Sequence, residues 1–315
     1  VHRVAITGAA SPLGQRTIAA LEAQGEEIVS LATAEVVVHL AWAQASARQP
    51  DGANVEDTRR LLAAAERTQR IVFVSSATVY GAWADNAVPL TEEAPLRPNP
   101  GFADAVQRAE AERLIDDWRA EHPGASSVVL RPVPMLGPGV DGWLVRALGG
   151  AAPLRIGDAD PPRQFVHVDD VAGAVVLAAT DHLEGAYNVT PDGWVAGATV
   201  RDLVGGRPPL PVPARLAVPA VSAAWAMHLT DVPAEALPLV EHPWVIANDR
   251  LRAAGWAPQY TNEEALVAGR PGSPWREMSP RRRQEVALAA AGLALAGVAG
   301  GIATAVARHR RRTVG

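Results

Sequence analysis

Cysteine is absent from this 315-residue chain, which excludes disulfides, thiolate nucleophiles and cysteine-bound metals. Aromatic residues are also few: three Phe and three Tyr, offset by nine Trp. No His, Asp or Glu cluster has metal-ligand spacing. There is no excess of positive charge either. The net charge is −5, so nothing draws the whole chain toward nucleic acid. No leader is expected ahead of Val4 to Thr7, which already reads as a strand.

What is present is enough apolar material for one large α/β domain with a small lobe: 48% hydrophobic and 20% charged. Val4 to Thr7 is a short β-branched run closed by Gly8. Leu13 to Gln24 has helical spacing and ends at Gly25. Strands are predicted over Glu27 to Leu31, Val36 to Leu40, Ile71 to Ser75 and Ser127 to Leu130. A helix is predicted over Asn54 to Ala65, and another through Leu114, breaking near Pro123. Strands alternating with helices predict a doubly wound, Rossmann-type parallel sheet. Residues 1–149 form the nucleotide-binding region, and residues 150–269 hold the remaining strands and a small C-terminal lobe.

That first region is shortened after residue 34. The second strand ends near Ala32 and the next begins about four residues later, where a crossover between parallel strands takes a dozen or more. Either the lobe is truncated or the sequence omits a stretch of chain.

The turn TGAASPLG carries Gly8 and Gly14, with Ser11 and Pro12 between them. Such a turn opens a helix whose N–H groups face a pyrophosphate, so Gly8, Ser11, Pro12, Leu13 and Gly14 are the expected cofactor contacts. Ser11 puts a Cβ where backbone would approach phosphate, and offers its hydroxyl instead. An Asp or Glu to read the ribose belongs about 20 residues on. Ala32 and Thr33 stand there, with Glu35 nearby.

Taken with VVVHLAWA, NVEDTRRLL, SSATVYG, LRPVPMLGPG and RQFVHVDDVAGAV, the turn resembles the extended short-chain dehydrogenase/reductases of the NAD-dependent epimerase/dehydratase type, over roughly residues 4 to 265. The resemblance implies NAD or NADP as cofactor and no metal. It places Ala41 on the adenosine side, Ser76 at the catalytic Ser/Thr, and Arg131 and Pro132 near the nicotinamide. Arg163 falls at the substrate-side Arg, followed by His167, Asp169 and Asp170, the two Asp being expected to cap the next helix. The Tyr-x-x-x-Lys pair of the family is missing: in NPGFADAVQRAEAERL, Phe102 and Val106 fall at those positions. A phenyl ring transfers no proton and a valine supplies no charge. Shifting the register gives Asp104 with Arg108 as the best alternative pair, and Tyr80 is the nearest tyrosine.

Beyond a Gly/Pro/Ser linker at residues 270–285, residues 286–307 carry no charge and span roughly 33 Å as a helix, enough to cross a bilayer. Gly292, Ala296 and Gly300 line one face, a surface for a transmembrane partner or a second copy. Residues 308–315 form a basic tail. The sequence therefore predicts a membrane-anchored, single-pass protein with a cytoplasmic main domain and no nucleic-acid partner. Two functions compete: a catalytically impaired accessory or scaffold subunit that binds NAD(P), or an active epimerase, dehydratase or oxidoreductase on a nucleotide-sugar or lipid-linked substrate.

Overall fold

The computed structural model describes residues 1–40, 53–65, 67–140, 154–157, 159–204, 210–228 and 233–269, together with Leu144 and Leu148. The chain divides into two compact units, residues 1–269 and 270–315. The second lies outside the described residues, as does Ala41, so the anchor expected over 286–307 and its face of Gly292, Ala296 and Gly300 lie there too. Among the described residues, no helix is long and apolar enough to cross a membrane.

The strands in chain order are β1 (Arg3–Thr7), β2 (Glu27–Ile28), β3 (Val36–His39), β4 (Arg70–Val74) and β5 (Ser126–Pro132). They continue with β6 (Met135–Leu136), β7 (Leu154–Ile156), β8 (Val166–His167), β9 (Gly185–Val189) and β10 (Leu210–Val212). The helices are α1 (Pro12–Ala23), α2 (Ala53–Ala64), α3 (Ala103–Glu121), α4 (Val168–Thr180), α5 (Gly197–Val204) and α6 (Ala214–Ala226). Three short ones follow: α7 (Pro238–Glu241), α8 (Asp249–Ala253) and α9 (Asn262–Ala268).

A six-stranded parallel sheet has the order β2-β1-β3-β4-β5-β9. Its central strands are built on apolar runs because both faces are covered. Val38, Val72, Val128 and Leu130 face one core with Leu13 and Leu21 of α1 and Val171 and Val175 of α4. Val37, Ile71, Phe73 and Val129 face the other, with Leu61 of α2 and Ala111, Ile115 and Trp118 of α3. This is the doubly wound architecture that the alternation predicts. A smaller two-stranded sheet, β10 with β7, and a separate cluster of Ile156, Ala217, Val221 and Leu237 build the lobe.

The short connection after residue 34 is accommodated by cutting β2 down. Ile28 and Val36 both stand level with Val4, on opposite edges of β1. Residues 29–35 carry the chain from one edge to the other through a 3₁₀ turn, Leu31–Thr33. Val29 N–H donates to Val4 O at 2.9 Å and Glu35 N–H to Arg3 O at 2.8 Å. A long crossover exists to return the chain to the starting level of the next strand. A two-residue strand has climbed too little to need one. The second strand therefore ends at Ile28, not near Leu31 or Ala32 as the apolar run predicts.

Candidate functional site

The carboxyl ends of β1, β4 and β5 gather the residues that the sequence singled out. Ligands of open α/β sheets bind at this rim.

After β1, Gly8 turns at φ 72° and Ser11 caps α1. Ser11 Oγ donates to Gly8 O at 2.7 Å and accepts from Gly14 N at 3.0 Å. The hydroxyl expected to face a phosphate is thus used inside the turn. Pro12 has no N–H, so Leu13 N–H is what the first turn keeps for an anion. A Cβ on Gly14 would lie 2.3 Å from Gly8 O, so helix and turn pack too closely for any side chain there. Arg16 ties the turn to its surroundings: it donates to Asp169 at 2.6 Å, Pro12 O at 3.0 Å and Pro138 O at 3.1 Å. Ala32 and Thr33 lie in the 3₁₀ turn, and Glu35 pairs with Arg3 at 3.2 Å, all away from Gly8. The ribose position predicted from the sequence is therefore not at the site.

Beside the turn, His39 ends β3. Its ring nitrogens bond Thr7 Oγ1 at 2.7 Å and Thr58 Oγ1 at 3.1 Å. Burial pushes its pKa down to about 4, so the imidazole is neutral.

After β4, Ser76 is half-buried and accepts from Thr78 N at 3.2 Å and Thr78 Oγ1 at 2.9 Å. Behind it lies a buried ion pair that sequence reasoning missed. Glu112 of α3 accepts from Arg131 Nη2 at 2.7 Å and Nε at 3.1 Å, with 3% and 8% of their side chains exposed. Ser75 Oγ also donates to Glu112. Arg131 Nη1 donates to Tyr80 OH at 2.8 Å, and that hydroxyl donates to Asn188 Oδ1 at 2.8 Å. Burial works against the charge on Arg131, but Glu112 and Tyr80 more than offset it and hold its pKa above the usual value. Arg131, expected beside the nicotinamide, is instead occupied beneath the rim. Pro132 closes β5 level with Val189 of β9. Tyr80 is 1% exposed and burial raises its pKa, so it is a structural residue.

The two candidate registers for Tyr-x-x-x-Lys fall on different faces of α3. Glu112 points under the sheet, and the residues four and eight before it, Arg108 and Asp104, share its face. Arg108 donates to Val74 O at 3.2 Å, Ser75 O at 3.1 Å and Asp104 at 3.0 Å, next to Ser76. Phe102 is buried at the N-cap of α3 and Val106 is 39% exposed. Asp104 and Arg108 thus lie beside Ser76, whereas Phe102 is buried at the start of α3 and Val106 faces outward. All 29 Lys-plus-Arg residues are arginine, so no register pairs a tyrosine with a lysine. The three tyrosines are accounted for as well: Tyr80 is buried, Tyr187 lies in β9 and Tyr260 stacks on His167.

Farther along, Arg163 is 8% exposed and its Nη1 donates to Leu148 O at 2.6 Å. Its Nε has no hydrogen-bond partner among the described residues, and burial lowers its pKa. His167, not either Asp, caps α4: its Nδ1 accepts from Asp169 N at 3.2 Å. Asp169 takes Arg16, and Asp170 accepts from Gln259 N at 2.8 Å and Tyr260 N at 3.2 Å. Among the described residues no group of His, Asp and Glu is arranged to hold a metal.

A parallel doubly wound sheet with a glycine turn after its first strand and a serine at the end of its fourth defines a nucleotide-binding α/β protein. Residues 30–190 match the NAD dependent epimerase/dehydratase family, and the chain belongs to that family. It has the family's NAD(P)-binding fold. The 3-diazoavenalumate denitrifying reductase of a Streptomyces species is 29% identical over 310 residues, 82% of this chain and 96% of that protein. An uncharacterized protein of Mycobacterium tuberculosis is 28% identical over 242 residues, 74% of this chain, which spans 64% of the relative's length. UDP-glucose 4-epimerase of Thermus thermophilus, solved in complex with NAD, superposes with a TM-score of 0.63 at 22% identity, over 85% of this chain and 97% of that one.

Proposed function

We propose that this chain is a nucleotide-binding family member that has lost the ordinary proton relay and serves as an accessory or scaffold subunit at a membrane. The observation that carries the reading is the Asp104–Arg108 ion pair at 3.0 Å on the face of α3 beside Ser76. Losing a positioned acid/base costs about 10²–10⁴-fold in rate. Arg is too basic to tune a neighbour as Lys does, and here it is held by strand-end carbonyls. The residues at the glycine turn fit a pyrophosphate: Gly8, Leu13 N–H and Gly14 would hold it. When bound, NAD(P) supplies hydride exchange; Ser76 would orient a substrate oxygen. The uncharged run at 286–307 supports membrane attachment of a cytoplasmic domain, with Gly292, Ala296 and Gly300 for a transmembrane partner or a second copy.

The test is turnover. Hydride transfer and epimerisation are assayed over a nucleotide-sugar panel. Wild type is expected to show no robust turnover. Asp104→Tyr with Arg108→Lys is expected to raise it, whereas Phe102→Tyr with Val106→Lys is not. Robust wild-type turnover would overturn the reading in favour of the second one, an active NAD(P)-dependent oxidoreductase or epimerase on a nucleotide-sugar or lipid-linked substrate. That alternative draws support from the buried Nε of Arg163, which has no hydrogen-bond partner among the described residues, and from the likeness to the Streptomyces reductase.

A further inference from the structure

Helix α6 carries an apolar face that the small lobe leaves exposed. We infer that α6 lies on an anionic bilayer surface with this face down, a second membrane contact besides the run at 286–307. The inference rests on the membrane attachment read from that run.

Among the described side chains of this 13-residue helix, Ala217 and Val221 are buried, in the cluster with Ile156 and Leu237. They stand one turn apart and fix the side that faces the lobe. Away from them, Leu216, Ala220, Ala223 and the C-cap Met227 follow at helical spacing and share one stripe. Leu216 is 49% exposed and Met227 62%, and both alanines are exposed. Val218, 56% exposed, flanks the far side of the exposed face. A surface helix ordinarily turns charged residues outward. In α6 the single charged residue is Arg215.

The charge pattern selects the occupant. The chain has 34 acidic residues, about one in nine, yet none lies between Asp202 and Asp231, a stretch that holds Arg207, Arg215 and His228. An apolar helix face with basic and no acidic neighbours in sequence is attracted to an anionic lipid surface. At 1.5 Å per residue α6 is about 20 Å long, short of the roughly 30 Å of a hydrocarbon core, so it lies along the interface and does not cross it. A second copy fits less well. A helix face about 20 Å by about 10 Å offers about 200 Å², a quarter of the roughly 800 Å² per partner of a stable specific pair. A bilayer sets no such minimum, because an anchor in the same chain already holds α6 at high local concentration.

The chain has no cysteine, so Met227→Cys places a single environment-sensitive fluorophore on the full chain. Leu216→Cys repeats the measurement from the other end of the stripe, and Ala63→Cys, on the exposed side of α2, is the control. Each protein is reconstituted into vesicles of phosphatidylcholine, or of equimolar phosphatidylcholine and phosphatidylglycerol, with and without doxyl-labelled lipid. The labels on α6 are expected to shift to the blue and to be quenched by doxyl lipid in the equimolar vesicles, and the control label to do neither. Arg215→Ala is expected to lower the ratio of docked to undocked label about fivefold, the worth of one cation near an anionic surface. Labels on α6 as wet as the control, on protein that stays with the vesicles through a high-salt wash, overturn this inference and keep the anchor. Equal quenching in both kinds of vesicle overturns the anionic-lipid assignment. A blue shift without doxyl quenching that grows with the protein-to-lipid ratio overturns the inference in favour of a second copy. Protein that leaves both kinds of vesicle in the wash overturns the anchor, and this inference with it.

Discussion

Glu112→Gln is expected to destabilise the nucleotide-binding domain by about 3–5 kcal/mol, the cost of breaking a buried ion pair from one side. Glu112 is 2% exposed and Arg131 7%. The carboxylate accepts from Arg131 Nη2 at 2.7 Å and Nε at 3.1 Å, while Nη1 rests on Tyr80 at 2.8 Å. An amide keeps the volume and some hydrogen bonding but removes the countercharge. Arg131 has no route to neutrality, since a guanidinium does not lose its proton in a protein. The uncompensated charge then stays under the sheet. With an m-value near 3 kcal/mol/M for a chain of this size, the urea midpoint falls by about 1–2 M. Removing both charges, Glu112→Leu with Arg131→Met, is expected to return stability to within about 1–2 kcal/mol of wild type. A loss of less than about 1 kcal/mol for Glu112→Gln refutes the reasoning. So does a double variant as unstable as the single one.

Acid should weaken the fold through His39. Its pKa is about 4 when folded, and burial is the main cause; unfolded it titrates near 6.5. As pH falls from 6.5 to 4, the unfolded chain takes up a proton that the folded chain refuses, so about 3 kcal/mol of stability is lost across that window. Urea unfolding at pH 7 and pH 4.5 should show this loss in wild type and a smaller one in His39→Gln; equal losses would exonerate the histidine. Gly14→Ala places a Cβ 2.3 Å from Gly8 O, so it should cost about 1–3 kcal/mol and abolish nucleotide binding. Calorimetry showing unchanged binding would remove the turn from the site. Deleting the residues after Pro280 should release protein from membranes, and retention through a high-salt wash would end the anchor proposal. Gly292→Leu with Gly300→Leu should keep the protein in the membrane but lose its partner, a result read by co-purification.

Much of the architecture was legible because buried parallel strands are written as β-branched runs. VAIT, VVVH and IVFV have no solvated face, so each announces a central strand. The second strand misled for the same reason: EEIVSL has the composition of a full strand but holds only two residues in the sheet. Composition reports burial, and Val29 and Leu31 are packed against the α2–α3 core without belonging to a strand. One signal in the sequence favours the Asp104–Arg108 register. Glu112 is the acid on α3 that can answer Arg131, and counting back by fours from it reaches 108 and 104.

The sequence by itself determined which chemistry is unavailable. With no lysine among these 315 residues, no folding of them can assemble a Tyr–Lys relay at any of the three tyrosines. It also determined the alternation of strand and helix, and with it the doubly wound sheet. Only the tertiary structure decided where the remaining polar groups point. It drew Arg131 down into a pair with Glu112 because a buried guanidinium needs a countercharge. It closed Ser11 back onto Gly8, since a helix N-terminus takes the nearest acceptor. And it set β2 level with Val4, because register is a property of neighbouring strands and no single strand carries it alone.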